Sequence, residues 1–186
     1  AGSTWIEDEE VLDHYARVHP EIRFIIAPHE IHESRLREIE KLFRETIRYS
    51  NVEGLKEAGP ENLPHVLIID NVGMLAAIYR YADITYVGGG FGGDGIHNIL
   101  EAGVYGKPVI FGPVYDKFRE AEEMINAGGA IPVESALELE SVLDDLLQND
   151  TVLSRRGKAA ADYIAKEAGA TASVLQFIQE NRLLTS

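Results

Sequence analysis

Residues 84–95, ITYVGGGFGGDG, join a short apolar run to a loop with six glycines in eight positions. Ile84–Val87 has the length and the β-branched content of a buried strand. A helix is predicted soon after the glycines, over Asn98–Tyr105. A strand, a glycine loop and a helix in this order are typical of a layered α/β fold, in which such a loop lets backbone amides approach a phosphate. A flexible connector is the alternative interpretation of the loop.

The same alternation continues on both sides of this unit. Short apolar runs predict further strands, over Ile22–Ala27, His65–Ile69, Pro108–Phe111 and Ala130–Val133. Apolar residues at helical spacing predict helices over residues 6–19, 36–47, 73–81 and 118–127, and the chain is predicted to be helical from a Ser135…Glu138 capping box to its end, with a break near Gly169. Single helices between strands imply right-handed crossovers and a parallel sheet covered on both faces. We therefore expect one Rossmann-like, three-layer α/β domain over residues 1–186 that ends in helices.

The first residues, Ala1–Trp5, are predicted to be a loop that leads into a helix, with Thr4 and Glu7 at the spacing of a capping box. A polar connection is predicted over residues 50–64. The chain begins without the initiator methionine or the leading strand expected of a complete α/β protein, so we expect a fragment.

The composition excludes several classes of function. There are 17 Lys and Arg against 31 Asp and Glu, and the net charge of -14 argues against nucleic acid and anionic membrane surfaces as partners. Without cysteine there is neither a disulfide framework nor a thiolate zinc site, which fits a cytoplasmic location. No apolar stretch is long enough to span a bilayer. His29 and His32 lack the partners of a metal site, and no nucleophile elbow occurs, so neither a metal, a cofactor nor a covalent intermediate is predicted.

Candidate ligand-binding side chains follow the glycine loop. Asn98 and Glu101 are one helical turn apart at the predicted helix entrance, where a carboxylate can accept hydrogen bonds from the two hydroxyls of a ribose. The same helix end favours a phosphate through its dipole. Glu101 is alternatively a dipole partner or a solvated residue, and His97 is a ligand contact, a helix cap or a packed imidazole.

Other loops are predicted at the same edge of the sheet. Ser3 and Thr4 precede the first helix and offer hydroxyls and amides to an anion, although capping explains Thr4 equally well. His29 follows the Ile22–Ala27 strand. Lys117 and Arg119 supply scarce positive charge after the Pro108–Phe111 strand, or are solvated surface residues.

Taken together, these motifs resemble the C-terminal domain of the bacterial 3-deoxy-D-manno-octulosonic acid (Kdo) transferases, which have the GT-B architecture. The resemblance covers nearly the whole chain. Its motifs are Gly2-Ser3-Thr4, Ala27-Pro28-His29-Glu30, Asp70-Asn71-Val72-Gly73-Met74-Leu75, Ala82-Asp83-Ile84…Val87-Gly88-Gly89, His97-Asn98…Glu101, Gly106-Lys107-Pro108-Val109 and Phe111-Gly112-Pro113…Phe118. Three positions depart from the family pattern, namely Met74, Ile96 and Lys117.

The resemblance implies that the chain binds CMP-Kdo and that an N-terminal domain, absent here, holds the lipid A precursor and the general base. The catalytic residues are thus expected outside the chain. The full-length protein is expected at the cytoplasmic face of the inner membrane, with membrane contact only through the missing part.

By the same resemblance, Glu101 is the ribose-binding glutamate, and Ser3, the glycine loop and Asn98 lie near the donor phosphate. The predicted binding set is Ser3, Thr4, His29, Gly88, Gly89, Gly90, Gly95, His97, Asn98, Glu101 and Lys117. Lys117 is a candidate partner of the sugar carboxylate. Two alternatives stay open: a UDP-sugar 2-epimerase or another GT-B transferase, and a non-enzymatic nucleotide-binding or interaction module.

Overall fold

The computed structural model describes residues 1–55 and 63–181. The described strands are β1 (Gly2–Thr4), β2 (Phe24–Pro28), β3 (Thr46–Arg48), β4 (Val66–Ile68), β5 (Thr85–Val87), β6 (Val109–Phe111) and β7 (Ala130–Pro132). They form one sheet in the order β3-β4-β2-β1-β5-β6-β7, and every pairing is parallel. The predicted parallel α/β fold is confirmed.

Helices follow most of the strands. They are α1 (Ile6–Val18), α2 (Glu33–Leu42), α3 (Leu75–Ile78), α4 (Leu100–Gly103), α5 (Arg119–Ala127), α6 (Ala136–Gln148), α7 (Asp150–Glu167) and α8 (Ala170–Glu180). Short 3-10 helices cover Tyr49–Leu55 and Tyr79–Tyr81. The predicted polar connection thus contains helical turns in its described part, and residues 56–62 lie outside the described residues.

The sheet separates two apolar cores. Ile110 of β6 packs in a cluster with side chains of α1, α2 and α6, whereas its neighbours Val109 and Phe111 pack in a second cluster with α4, α5 and α7. Because successive side chains of a strand point to opposite faces, the two clusters lie on opposite faces of the sheet. This arrangement gives the three layers predicted from the sequence.

The prediction that the chain starts with a loop is wrong. Gly2–Thr4 is a central strand, paired with β2 on one side and β5 on the other. Ser3 bulges between its neighbours with a φ of 53°, in the left-handed region that most residues avoid. A strand of three residues with a bulge at its centre shows neither the alternation nor the length by which strands are recognised.

The second helix also ends earlier than predicted. Apolar spacing extended it to Ile47, but α2 stops at Leu42 and Thr46–Arg48 forms the edge strand β3. The backbone leaves the helical region at Phe43 (φ -87°, ψ 147°), and Glu45 has a φ of 50° just before β3. Thr46 and Ile47 are β-branched, which favours the strand.

Helix ends agree with the sequence at some places and differ at others. Ser135 accepts a hydrogen bond from the amide of Glu138 (3.3 Å) as predicted, and Gly169 separates α7 from α8 with a φ of 120°. Helix α4 is shorter than predicted. The predicted Thr4–Glu7 capping box is wrong: the N-cap of α1 is Trp5, whose amide donates to Asp8 (2.9 Å) and whose indole cannot accept a hydrogen bond.

Thr4 and Glu9 belong instead to a buried polar group under α1. The Thr4 hydroxyl donates to Glu9 Oε1 (2.7 Å), and Glu9 Oε2 pairs with the guanidinium of Arg35 on α2. All three residues are buried. Burial raises the pKa of Glu9, and the hydrogen bonds from Thr4 and Arg35 oppose that rise. The Arg35 pairing therefore provides the positive charge that this carboxylate needs in the interior.

We predict that Arg35→Met lowers the free energy of unfolding by about 3–5 kcal/mol, since Glu9 would be left as an uncompensated buried charge. Arg37→Met is the matched control on the same helix. Arg37 pairs with Glu33 at the surface and its side chain is 66% exposed, so its loss should cost only about 0–1 kcal/mol. Urea unfolding measures both values, and equal losses would contradict the role assigned to Arg35.

Candidate functional site

The order of the strands changes direction between β1 and β5. From β1 the chain passes to β2 on one side, whereas β5 leads to β6 on the other. Loops that leave two such strands diverge and open a crevice beyond their carboxyl ends, which is where ligands bind in open α/β sheets. The loop after β1 leads into α1 at Trp5, and the loop after β5 begins at Gly88. The candidate site is this crevice.

Gly88, Gly89 and Gly90 are required by the packing of the backbone itself. A Cβ atom on Gly88 would lie 2.4 Å from the Ser3 carbonyl oxygen, and one on Gly90 would lie 2.6 Å from the Gly112 nitrogen. Gly89 has a φ of 95°. These three glycines bring the start of the loop into contact with the ends of β1 and β6.

The rest of the loop is more open. A Cβ atom on Gly93 would meet nothing within 4 Å, whereas Gly95 lies under the ring of Phe118, whose Cε2 atom would be 2.8 Å from an added Cβ. The amides of Gly90, Gly93 and Gly95 donate no hydrogen bond to another described residue. Gly93 is exposed, so its amide is available to an anion, whereas Gly90 and Gly95 are buried.

A buried carboxylate at the start of α1 ties the loop to the sheet. Asp8 accepts hydrogen bonds from the amide of Gly89 (2.8 Å), the amide of Trp5 (2.9 Å) and the hydroxyl of Tyr86 (2.7 Å). Burial, and then the nearby charge of Asp8, raise the pKa of the Tyr86 phenol, so the phenol stays protonated and donates. The Gly89 amide is thereby used by the protein rather than offered to a ligand. Asp8 was not predicted as part of the site, because in the sequence it looks like an ordinary acidic residue in a first helical turn.

Three aromatic rings meet at the carboxyl edge of β1, β2 and β5. Trp5 stacks on His29 with a centroid distance of 4.6 Å, and His29 stacks on His97 at 4.5 Å. The indole N–H of Trp5 donates to His97 Nε2 (3.2 Å). His29 is exposed, and its amide donates to the Thr4 carbonyl (3.0 Å). His29 and His97, which the sequence placed on separate loops, are thus in contact. Trp5, which was not among the predicted site residues, contacts both.

Asn98 and Glu101 lie together at the entrance of α4. Asn98 accepts a hydrogen bond from the amide of Leu100 (3.0 Å) and donates to Glu101 Oε1 (3.2 Å). Burial raises the pKa of Tyr79, and Glu101 raises it further. The Tyr79 hydroxyl lies over β1, because a Cβ atom on Gly2 would be 2.1 Å from it. Glu101 is half-buried and Asn98 is exposed, so the pair borders the solvent.

The predicted cations have different surroundings. Lys117 is exposed and immediately precedes Phe118, which covers Gly95. Arg119 donates to Glu123 on its own helix (2.6 Å) and lines a groove between α5 and α7. Both residues flank Phe118, but Arg119 is engaged with its own helix whereas Lys117 is exposed.

Three further observations concern the rest of the described residues. A cavity of about 470 Å³ lies at the opposite, amino edge of the sheet, lined by Ala1, Phe24, Ile84 and their neighbours, and it contains none of the loop glycines, His97 or Glu101. Within the described ranges, no group of three or more His, Asp or Glu side chains could hold a metal ion. No helix in these ranges has the length and apolar character needed to cross a membrane.

Sequence comparison finds relatives that are longer than this chain. A bifunctional glycosyltransferase/methyltransferase of Fusobacterium nucleatum is 31% identical over 190 residues, which cover 99% of this chain and 26% of the relative. A 3-deoxy-D-manno-octulosonic acid transferase of Aquifex aeolicus is 32% identical over 153 residues, which cover 79% of this chain and 41% of the relative. The transferase of the same name from Bordetella pertussis is 36% identical over 123 residues, which cover 63% of this chain and 28% of the relative. The chain thus spans from about a quarter to two fifths of these relatives' length. No protein-family model matches it.

Solved structures share the fold. The C-terminal CMP-Kdo binding domain of WaaA from Acinetobacter baumannii superposes with a TM-score of 0.73 and 22% identity, over 88% of this chain and 86% of that one. The C-terminal domain of a group 1 family glycosyl transferase from Francisella tularensis gives a TM-score of 0.57 and 17% identity, over 88% and 78%. The fold is that of the C-terminal domain of a GT-B glycosyltransferase.

We predict that Asp8→Asn lowers the free energy of unfolding by about 2–4 kcal/mol, because the amide keeps one acceptor oxygen and brings an N–H₂ group against donors that are already present. Glu7→Gln is the control, since Glu7 is an exposed acid in the same helical turn. Urea unfolding with tyrosine and tryptophan fluorescence compares the two. A loss for Asp8→Asn no larger than that for Glu7→Gln would contradict the role given to Asp8.

Proposed function

The chain belongs to the family of the bacterial Kdo transferases, and we propose that it is the donor-binding half of such an enzyme, which transfers Kdo from CMP-Kdo to a lipid A precursor in lipopolysaccharide biosynthesis. The sequence relatives support the family. The fold shared with a CMP-Kdo binding domain supports the choice of the donor. The parent protein would work at the cytoplasmic face of the inner membrane.

One observation carries the proposal more than any other. The glycine loop, with the exposed amide of Gly93, follows β5, and the Asn98–Glu101 pair lies at the start of the next helix. A nucleoside monophosphate needs both kinds of group: amides for its phosphate, and a carboxylate that accepts hydrogen bonds from the ribose hydroxyls.

The predicted residues divide into three roles in this proposal. Glu101, oriented by Asn98, binds the ribose. The loop amides and the strained backbone at Ser3 face the phosphate. Lys117 pairs with the carboxylate of the sugar. Thr4 takes none of these roles, because its buried hydroxyl donates to Glu9 and its carbonyl accepts from the His29 amide.

The reaction proposed for the whole protein is a direct displacement. A hydroxyl oxygen of the acceptor forms a bond to the anomeric carbon of Kdo while the bond from that carbon to the CMP phosphate oxygen breaks, and configuration inverts. A general base takes the hydroxyl proton, and we place that base in the domain that the relatives have beyond this chain. The loop amides stabilise the charge that develops on the departing phosphate.

We predict that CMP stabilises the chain against heat and that UDP and ADP do so less at equal concentration, since a ligand that binds only the native fold raises the apparent stability. Preference for UDP would favour a UDP-sugar 2-epimerase or another GT-B transferase. Absence of any nucleotide effect would favour a non-enzymatic module. Differential scanning fluorimetry followed by calorimetry makes the comparison.

Glu101→Gln should weaken CMP binding by about tenfold or more, because hydrogen bonds to a charged acceptor contribute about 1.5–3 kcal/mol. Glu122→Gln is the control, since it removes an exposed glutamate from the first turn of α5. Calorimetry gives both dissociation constants. Equal affinities of the two variants would contradict the ribose role of Glu101.

Lys117→Ala should weaken binding of CMP-Kdo while leaving binding of CMP unchanged, because only the intact donor carries the sugar carboxylate. The expected loss is about fivefold, that of one charge-assisted contact at an exposed position. Lys41→Ala, at an exposed position on α2, is the control. A loss of CMP affinity in Lys117→Ala would place the lysine at the phosphate instead, and unchanged affinity for both ligands would remove it from the site.

A further inference from the structure

The contact between Trp5 and His97 determines which nitrogen of His97 carries a hydrogen. The indole nitrogen is a donor only, and it lies 3.2 Å from His97 Nε2. Nε2 must therefore accept. In a neutral imidazole one nitrogen accepts and the other donates, so the hydrogen of His97 is on Nδ1.

The surroundings of His97 keep the ring neutral. Burial lowers its pKa, the neighbouring His29 lowers it further, and Asp8 opposes the change. A proton on Nε2 would also point at the indole hydrogen of Trp5. The ring is thus an uncharged donor whose N–H group is at a known position.

That N–H group is free, and its ring packs on the glycine loop. Nδ1 of His97 has no hydrogen-bond partner within residues 1–55 and 63–181. The backbone amide of His97 donates to the Gly88 carbonyl (3.0 Å), and a Cβ atom on Gly89 would lie 3.1 Å from the Cδ2 atom of the ring. The imidazole therefore contacts the loop through its Cδ2 atom, and Nδ1 is on the opposite edge of the ring.

We propose that Trp5 is a positioning residue: its indole N–H fixes His97 as the Nδ1–H tautomer, so that the neutral ring donates a hydrogen bond to a phosphate oxygen of the bound nucleotide. This inference rests on the proposed function, which supplies the phosphate. His29 holds the indole and imidazole planes through its two stacking contacts. Because the ring is neutral, it can donate a hydrogen bond to the departing phosphate. It is not an acid that would transfer its proton to the phosphate.

The tautomer can be measured in the chain without ligand. Two-dimensional 15N spectra of the histidine rings distinguish a protonated ring nitrogen from an unprotonated one, and His97→Gln identifies the signals of His97. We expect Nδ1 to carry the hydrogen and Nε2 to be unprotonated at neutral pH. A protonated Nε2, in either a neutral or a charged ring, would overturn the proposal before any variant of Trp5 is made.

Trp5→Phe separates the hydrogen bond from the ring stack, because phenylalanine keeps an aromatic face on His29 and has no N–H group. We expect the ring of His97 to become a mixture of tautomers and CMP binding to weaken about two- to tenfold, in proportion to the fraction of the competent tautomer that is lost. Trp5→Leu removes the stack as well. Full CMP affinity in Trp5→Phe with a loss confined to Trp5→Leu would overturn the proposal in favour of stacking.

The outcomes distinguish this inference from the function on which it rests. CMP bound by a wild-type chain whose His97 is protonated at Nε2 would overturn the positioning role alone. A wild-type chain that binds no CMP would overturn the proposed function and the assigned phosphate together, while the nitrogen spectra would still report the tautomer.

Discussion

Asp8 brings a carboxylate into the interior at the point where β1, β5 and the glycine loop meet. A charged group in such a position is tolerated only when hydrogen bonds replace the water that it loses. Its partners are the Trp5 amide, the Tyr86 hydroxyl and the Gly89 amide, which come from three separate elements. The start of α1, the end of β5 and the turn of the loop must therefore be in place together. Both Trp5, which orients His97, and the exposed amide of Gly93 depend on that constraint.

The glycine loop combines a structural part with an open part. Gly88 and Gly90 are glycines because other backbone segments approach them too closely for a side chain. The amide of Gly93 is without a partner among the described residues and Gly93 is exposed, so this is a group through which an anion can be held. A rigid start and an open continuation allow the loop to present its donors at defined positions, which limits the reorganisation needed on binding. The chain matches only part of its longer relatives. The general base of the proposed reaction is placed in the part of those relatives that the chain does not match.

The order of strands and helices could be predicted from residue patterns because most elements have apolar runs or helical spacing of adequate length. Strands β1 and β3 could not, since neither has an apolar run, and Ser3 within β1 and Glu45 before β3 have positive φ. The glycine loop and the Asn98–Glu101 pair were visible as local patterns. Asp8 and Trp5 were not, because their roles depend on contacts with residues 81 and 92 positions away in the sequence. The contact of His29 with His97 likewise follows only from the sheet order.

The central claim is that the crevice between β1 and β5 holds a nucleoside monophosphate. A crystal structure of the chain with cytidine monophosphate tests this claim most directly. The account predicts density for the phosphate against the loop amides and His97 Nδ1, with the ribose hydroxyls on the carboxylate of Glu101. Density for the nucleotide elsewhere, with this crevice occupied only by solvent, would contradict it.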